Sequence, residues 1–148
     1  MKIVETENFV LESHTAPEVS RTDGGHLVVR PKIEVEDRTK LSRELVIEMA
    51  LLTQLAGRAM VEGLGQRGIR IGRVNYQDNG NWSPKLHVHL YGRSPEATYQ
   101  IYGEPIIAAR KKEDKVAQEP LNAEDVAAIA EVALRLGKLP EYADLGVR

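Results

Sequence analysis

The sequence predicts an α+β fold with an antiparallel sheet. Residues 26–30, 69–75 and 86–91 have the two-residue alternation of apolar and polar side chains that is typical of strands. Apolar residues recur at helical spacing over residues 42–64, and again over about 122–137. Strands, a long helix, two strands and a tail helix follow in that order. This order favours an antiparallel sheet over the regular βαβ alternation of a parallel one.

The first part of the chain predicts two extended segments separated by a turn. Residues 1–12 alternate weakly, which indicates an edge strand or a hairpin. The turn signal at residues 22–25 contains two glycines and precedes the strand that begins at His26. Pro31 ends this strand because proline has no amide hydrogen to donate to a neighbouring strand. The polar residues 32–40 predict a loop.

Both predicted helices have recognisable ends. Ser42 is an N-cap residue for the first helix, and Gly63 and Gly65 predict its end. Asn122 caps the second helix, and Asp125 lies three residues further on, which is a variant of the capping box. The apolar faces of both helices are expected to lie in the core or in a dimer contact.

The region between the helices predicts a hairpin followed by shorter extended pieces. Residues 76–84 are rich in turn-forming residues and connect the last two predicted strands, so these strands are expected to pair antiparallel. Residues 99–102 and 105–107 predict short extended pieces, and the mixed charges of residues 110–115 predict a solvated loop.

Composition predicts one soluble globular domain over residues 1–148, because 42% of the residues are hydrophobic and 28% are charged. The net charge of −2 argues against a stable nucleic-acid partner. No apolar run has the length of a membrane span, and the N-terminus lacks the apolar core of a signal peptide. We therefore expect a cytoplasmic protein with no membrane partner. The absence of cysteine excludes disulfides and thiolate chemistry.

The most informative segment is the strand that contains a His-x-His pair. Alternate side chains of a strand point to opposite faces. One face of this strand is apolar and is expected to enter the core: Leu86, Val88 and Leu90. The other face is polar: Lys85, His87, His89 and Tyr91. A cation, two imidazoles and a phenol on one face predict a site for an anion or a metal ion.

Two motifs in this chain resemble those of the histidine-triad (HIT) family. Residues 24–32 read Gly-Gly-His-Leu-Val-Val-Arg-Pro-Lys, and residues 85–93 read Lys-Leu-His-Val-His-Leu-Tyr-Gly-Arg. The predicted long helix and residues 68–72 lie between them. The resemblance covers roughly residues 5–93 and implies a single HIT-like domain, with a C-terminal extension that carries the helix at about 122–137. It also implies a homodimer and a reaction that needs no cofactor or metal.

The resemblance implies a catalytic role for both strand histidines. The family signature is His-φ-His-φ-His-φ-φ, where φ is apolar, and its middle histidine attacks the α-phosphorus of a nucleotide. On this register His87 matches the nucleophile, His89 matches the third histidine, and Lys85 replaces the first. The implied activity is hydrolysis or nucleotidyl transfer, through a nucleotidyl-histidine intermediate. The implied substrate is a nucleoside phosphate, a phosphoramidate or a dinucleoside polyphosphate.

Five further assignments concern the groups around the phosphate. Lys85 supplies a permanent positive charge, which makes it a candidate phosphate ligand. Asn75 matches a family position near the phosphate, Ser83 offers a hydroxyl, and Asn81 stands where the family often has glutamine. His26 begins its strand after two glycines and is a candidate to support the catalytic histidines without contacting the substrate itself.

Two alternatives belong to different functional classes. One is a nucleotide-binding module that retains the pocket and has lost catalysis, since Lys85 stands in the place of a triad histidine. The other is a metal site formed by the His-x-His pair, with Glu96 and Gly103 as further members of a cupin-like pattern. A long helix before the motif does not suit the jelly roll of a cupin.

Overall fold

The computed structural model describes residues 1–78, 80, 83–108 and 116–148. Within these residues, five strands form one antiparallel sheet in the order β1-β2-β3-β5-β4. The strands and the two α-helices are β1 (Lys2–Glu5), β2 (Phe9–Ser13), β3 (His26–Pro31), α1 (Arg43–Gln66), β4 (Arg73–Gln77), β5 (Val88–Arg93) and α2 (Ala123–Leu136). The α+β fold with an antiparallel sheet is therefore confirmed, and the N-terminal segment forms a hairpin.

The sheet places β5 between β3 and β4. Val28 of β3 lies opposite His89 of β5, and Gln77 of β4 lies opposite the same histidine from the other side. Leu86, Val88 and Leu90 are buried in the core, as the alternation predicted. Strand β5 therefore has a neighbouring strand on each side, so its polar face lies in the middle of the sheet and not at an edge.

Helix α1 begins where the sequence predicted and ends later. The Ser42 hydroxyl accepts a hydrogen bond from the Leu45 amide, so Ser42 is the N-cap. The predicted end at Gly63 and Gly65 was wrong, because the helix continues to Gln66. A Cβ at position 63 would lie 2.8 Å from the Ile129 Cα, so this glycine allows α2 to approach closely.

Helix α2 has the predicted capping box. The Asn122 side chain accepts from the Asp125 amide, and the Asp125 carboxylate accepts from the Asn122 amide. The same carboxylate is fully buried and accepts two hydrogen bonds from the Arg21 guanidinium, at 2.7 and 2.9 Å. This contact ties α2 to the 3₁₀-helix Arg21–Asp23 that precedes β3.

Several predicted extended segments were wrong. Residues 69–72 lie before β4, although Ile69 and Ile71 are buried, so their alternation reflects burial rather than strand pairing. Residues 99–102 and 105–107 contain no strand. The predicted loop at 110–115 lies outside the described residues.

No helix in the described part of the chain is both long enough and apolar enough to span a membrane.

Candidate active site

A cavity of about 1010 Å³ lies on the polar face of the sheet. Strands β3, β4 and β5 contribute side chains to it, together with the segment after β2 and residues 102–106. A cavity of this size is large enough to bury most of a nucleotide-sized ligand.

All four histidines of the sequence line this cavity: His14, His26, His87 and His89. The His14 and His26 rings are stacked, with centroids 4.5 Å apart. The His89 centroid lies 4.9 Å from that of His26 and 4.6 Å from that of His87. Residues far apart in sequence therefore form one imidazole cluster.

The tautomer of His87 follows from its backbone contact. Its Nδ1 lies 2.6 Å from the Lys85 carbonyl oxygen. Because a carbonyl oxygen can only accept, Nδ1 carries the proton and donates it to Lys85. The Nε2 atom of a neutral His87 then keeps its lone pair. This is the state that a nucleophilic or basic imidazole requires.

The tautomer of His89 follows from two hydrogen bonds in series. The Glu18 amide donates to Nδ1 of His26 at 3.2 Å, so a neutral His26 carries its proton on Nε2. That Nε2 lies 2.8 Å from Nδ1 of His89 and donates to it. His89 in turn holds its own proton on Nε2. His87 and His89 therefore differ in role. His87 presents a lone pair on Nε2, and His89 presents an N–H donor on Nε2.

Burial keeps His89 and Tyr91 uncharged near neutral pH. Desolvation, and next the charges of His87 and His14, lower the pKa of His89 to about 4. Desolvation, with the charge of Glu18, raises the pKa of Tyr91 to about 12. A neutral imidazole and a neutral phenol are both able to donate hydrogen bonds to an anionic ligand.

The segment after β5 is held against the cavity by buried polar groups. The Asp23 carboxylate accepts hydrogen bonds from the amides of Thr98, Tyr99 and Gln100, at 2.7–3.0 Å. Burial alone would raise the pKa of Asp23, but these backbone donors outweigh it and hold the pKa below its usual value. The Gln100 side chain, itself fully buried, bonds to both backbone groups of Ile107. These contacts hold the segment in place although it contains no helix or strand.

Most of the predicted site residues lie together. His87, His89, His26, Asn75 and Ser83 all line the cavity. Asn75 is held by Arg93, whose Nη1 donates to Oδ1 at 2.9 Å. Because arginine only donates, the amide oxygen faces Arg93 and the Asn75 NH₂ group points away from it.

Lys85 does not join this group. The Lys85 ammonium donates to the Glu34 carboxylate at 2.5 Å, and both side chains are largely exposed. Lys85 is absent from the described residues that line the cavity, and only its backbone carbonyl contacts His87. Its contact with phosphate stays a prediction. Asn81 lies outside the described residues.

The sequence interpretation missed Arg73, Gln77, Arg93 and Tyr102, which also line the cavity. Arg73 and Gln77 share a strand face with Asn75, so the correct register of β4 would have identified them. Tyr102 lies in an irregular segment, for which the sequence contains no periodic signal. Among the described residues, no group of three or more His, Cys, Asp or Glu side chains is arranged to hold a metal ion.

Solved structures of histidine-triad proteins resemble this chain over most of its length. A zinc-bound histidine triad family protein from Mycobacterium smegmatis is 20% identical with a TM-score of 0.61, covering 91% of this chain and 84% of that one. A histidine triad protein from Marinobacter aquaeolei VT8 is 16% identical with a TM-score of 0.65, covering 98% and 90%. A hypothetical histidine triad nucleotide-binding protein from Sulfolobus tokodaii is 18% identical with a TM-score of 0.61, covering 93% and 87%. At these identities the similarity shows the fold.

Comparison with curated proteins gives no match. The family model of the HIT domain matches residues 2–96, which is well over half of the chain and includes the four histidines of the cavity. The chain therefore belongs to the HIT family.

Proposed function

We propose that this protein cleaves a phosphoanhydride or phosphoramidate bond at the α-phosphate of a nucleotide. The observation that carries the proposal is the 2.6 Å contact between His87 Nδ1 and the Lys85 carbonyl oxygen, because it leaves Nε2 with a free lone pair in the cavity. Membership of the HIT family supports a nucleotide ligand, as does the description of the Sulfolobus tokodaii protein as nucleotide-binding.

The proposed reaction has two displacements. In the first, His87 Nε2 forms a bond to the α-phosphorus while the bond to the leaving group breaks. The His89 Nε2–H donates a hydrogen bond to the leaving atom, which departs with its electron pair and takes a proton from solvent where it is a basic amine. In the second, water attacks the nucleotidyl-His87 phosphorus while the bond to Nε2 breaks, and the proton that the water loses passes to solvent. His87 is then released and both histidines return to their starting states.

The phosphoryl oxygens need donors that are fixed before the reaction. We assign this role to the Asn75 NH₂ group, whose orientation is held by Arg93, and to the Ser83 hydroxyl in the same cavity. Tyr91 is a further neutral donor, since its pKa is raised to about 12 by burial and by the charge of Glu18.

The test is incubation with dinucleoside polyphosphates and nucleoside phosphoramidates without added metal, followed by detection of released mononucleotide. A brief quench in alkaline denaturant should trap a nucleotide on His87, because the N–P bond is labile to acid and stable to base, and peptide mass spectrometry would locate it. His87→Ala should abolish both signals while it retains nucleotide binding and the wild-type melting temperature. Full turnover by this variant would disprove the nucleophile assignment.

The outcome also decides between the alternative functions. Nucleotide binding without turnover by any substrate would favour a catalytically inactive module, in which Lys85 has replaced a triad histidine. Stoichiometric metal in the purified protein, detected by elemental analysis and lost in His89→Ala, would favour the metal site.

The homodimer stays a prediction, and light scattering at several protein concentrations checks it. The cytoplasmic location likewise stays a prediction.

A further inference from the structure

The cavity floor is a ladder of side chains from β4 and β5. Three directly opposed pairs have members that line the cavity: Gln77 and His89, Asn75 and Tyr91, and Arg73 and Arg93. The first and last pairs are four residues apart along each strand. At about 3.3 Å per residue, the two arginines therefore lie on the order of 13 Å along the sheet from His89.

Arg93 is a buried cation whose partners in the described residues are all neutral. It is only 4% exposed. Its guanidinium donates to the Asn75 side-chain oxygen at 2.9 Å, to the carbonyl oxygens of Ile101 and Glu104 at 2.8 Å, and to that of Gln100 at 3.5 Å. Its Nε is buried without a hydrogen-bond partner among the described residues. A buried charge that lacks an anionic partner is costly, so a negative ligand nearby would stabilise it.

Arg73 places a second cation directly across from the first. It is exposed, lines the same cavity, and forms no ion pair with any residue that the structure describes. Like charges at directly opposed positions of an antiparallel pair repel each other. An anion bound in the cavity beside both arginines would relieve that repulsion, and the more accessible Arg73 would contact it directly.

We infer that the arginine end of the cavity is a second anion subsite, which binds phosphate groups on the leaving-group side of the substrate. This inference rests on the proposed function and narrows its substrate class. A dinucleoside polyphosphate or another nucleotide with a phosphate-bearing leaving group would extend from His87 toward Arg73, past the Asn75 amide. A phosphoramidate of an uncharged amine would leave this end of the cavity empty.

Two carboxylates also line the cavity, and their positions sharpen the inference. The Glu18 backbone amide donates to His26, which lies opposite Tyr91 in the sheet, so Glu18 lies near the middle of the ladder. Glu104 lies at the arginine end, where its backbone carbonyl accepts from Arg93. Neither carboxylate forms an ion pair with Arg73 or Arg93 within the described ranges. Because the Glu104 charge would oppose an incoming phosphate, Glu104→Gln should strengthen binding at the subsite.

The decisive variant is Arg73→Gln, and its matched control is Arg70→Gln. Arg70 is also exposed, pairs with Glu96 at 3.5 Å, and does not line the cavity among the described residues. Arg93 is unsuitable for this test because its substitution would also release the Gln100–Glu104 segment.

Calorimetric titration with tripolyphosphate measures the affinity of the subsite for an anion and does not depend on any reaction. Loss of one charge-assisted hydrogen-bonding partner is worth roughly tenfold to a hundredfold in affinity. We expect Arg73→Gln to weaken tripolyphosphate binding by about tenfold or more, and Arg70→Gln to change it less than about twofold. Unchanged affinity in Arg73→Gln, or an equal loss in both variants, would overturn the subsite.

Turnover then tests the substrate class. Arg73→Gln should lower kcat/KM for a dinucleoside tetraphosphate by about tenfold and leave that for a nucleoside phosphoramidate of a neutral amine within about twofold. An equal loss on both substrates would overturn the inference, because it would indicate a structural defect. If no substrate is turned over, the proposed reaction fails, but the tripolyphosphate titration still decides whether the anion subsite exists.

Discussion

His26 and His89 are joined by a 2.8 Å hydrogen bond between Nε2 and Nδ1, across the paired strands β3 and β5. His26 is almost fully buried, and its other ring nitrogen accepts from the Glu18 backbone amide. The backbone therefore determines the tautomer of His26, and His26 determines that of His89. An N–H donor at Nε2 of His89 is the consequence that matters for stabilising the leaving group.

We expect His26→Phe to lower kcat by about 100-fold, because phenylalanine keeps a ring in the stack but cannot donate to His89. His26→Gln retains a donor and should lose less activity. Steady-state kinetics with a series of leaving groups checks the role. If His26 acts through the hydrogen bond that His89 donates to the leaving group, the defect should shrink as the leaving group becomes more acidic. A defect that is the same for every leaving group would indicate a structural role only.

The pH dependence of stability should report on His89. Its pKa in the folded protein is about 4, mainly through burial, against a usual value of 6.5. Between these values the unfolded chain binds more protons, so stability is complete above about pH 6.5 and falls as the pH drops toward 4. Urea denaturation at pH 7.5 and pH 4.5 should show a smaller difference for His89→Asn than for wild type. Equal differences would exclude His89 as a contributor.

Gly24 and Gly92 mark a close approach of two backbones beside the site. A Cβ at position 92 would overlap the Gly24 carbonyl oxygen and lie 2.9 Å from the Met60 Cε. We expect Gly92→Ala to destabilise the protein by about 3 kcal/mol, since backbone cannot move aside easily. Gly65→Ala in helix α1 is the control, because outside the helix's own backbone no atom of the described residues lies within 4 Å of its Cβ position. It should stabilise the protein by roughly 0.5–1 kcal/mol. Urea denaturation measures both, and equal signs would contradict the packing argument.

A double-mutant cycle should settle whether Lys85 contacts phosphate. If it does, Glu34 competes for the ammonium, since the two side chains are paired at 2.5 Å. We then expect Lys85→Met to weaken nucleotide binding by roughly tenfold and Glu34→Gln to strengthen it. Glu34→Gln should have no effect once Lys85 is methionine. Equal dissociation constants in all four proteins would show that Lys85 is a solvent-exposed bystander.

The ends of the helices and strands show where the local sequence pattern predicted the structure correctly and where it did not. Ser42 and Asn122 cap their helices as predicted, because capping depends on side chains within one turn. Gly63 was misinterpreted, because its role is to let α2 pack closely rather than to end a helix. The alternation of Ile69 and Ile71 reflects core burial before β4 begins, so the period of apolar residues did not by itself establish strand pairing.

The sequence by itself determined the fold class, the two faces of the β5 segment and the motifs that resemble the HIT family. These features depend on residue order within short stretches, where the side-chain period alone decides which groups share a face. Only the tertiary structure decided which distant groups meet. It brings His26 to His89 and the Glu18 amide to His26, places Arg73 opposite Arg93, and pairs Lys85 with Glu34. Such contacts depend on strand register and loop paths, which no local pattern encodes, and they determine the protonation and charge of the site.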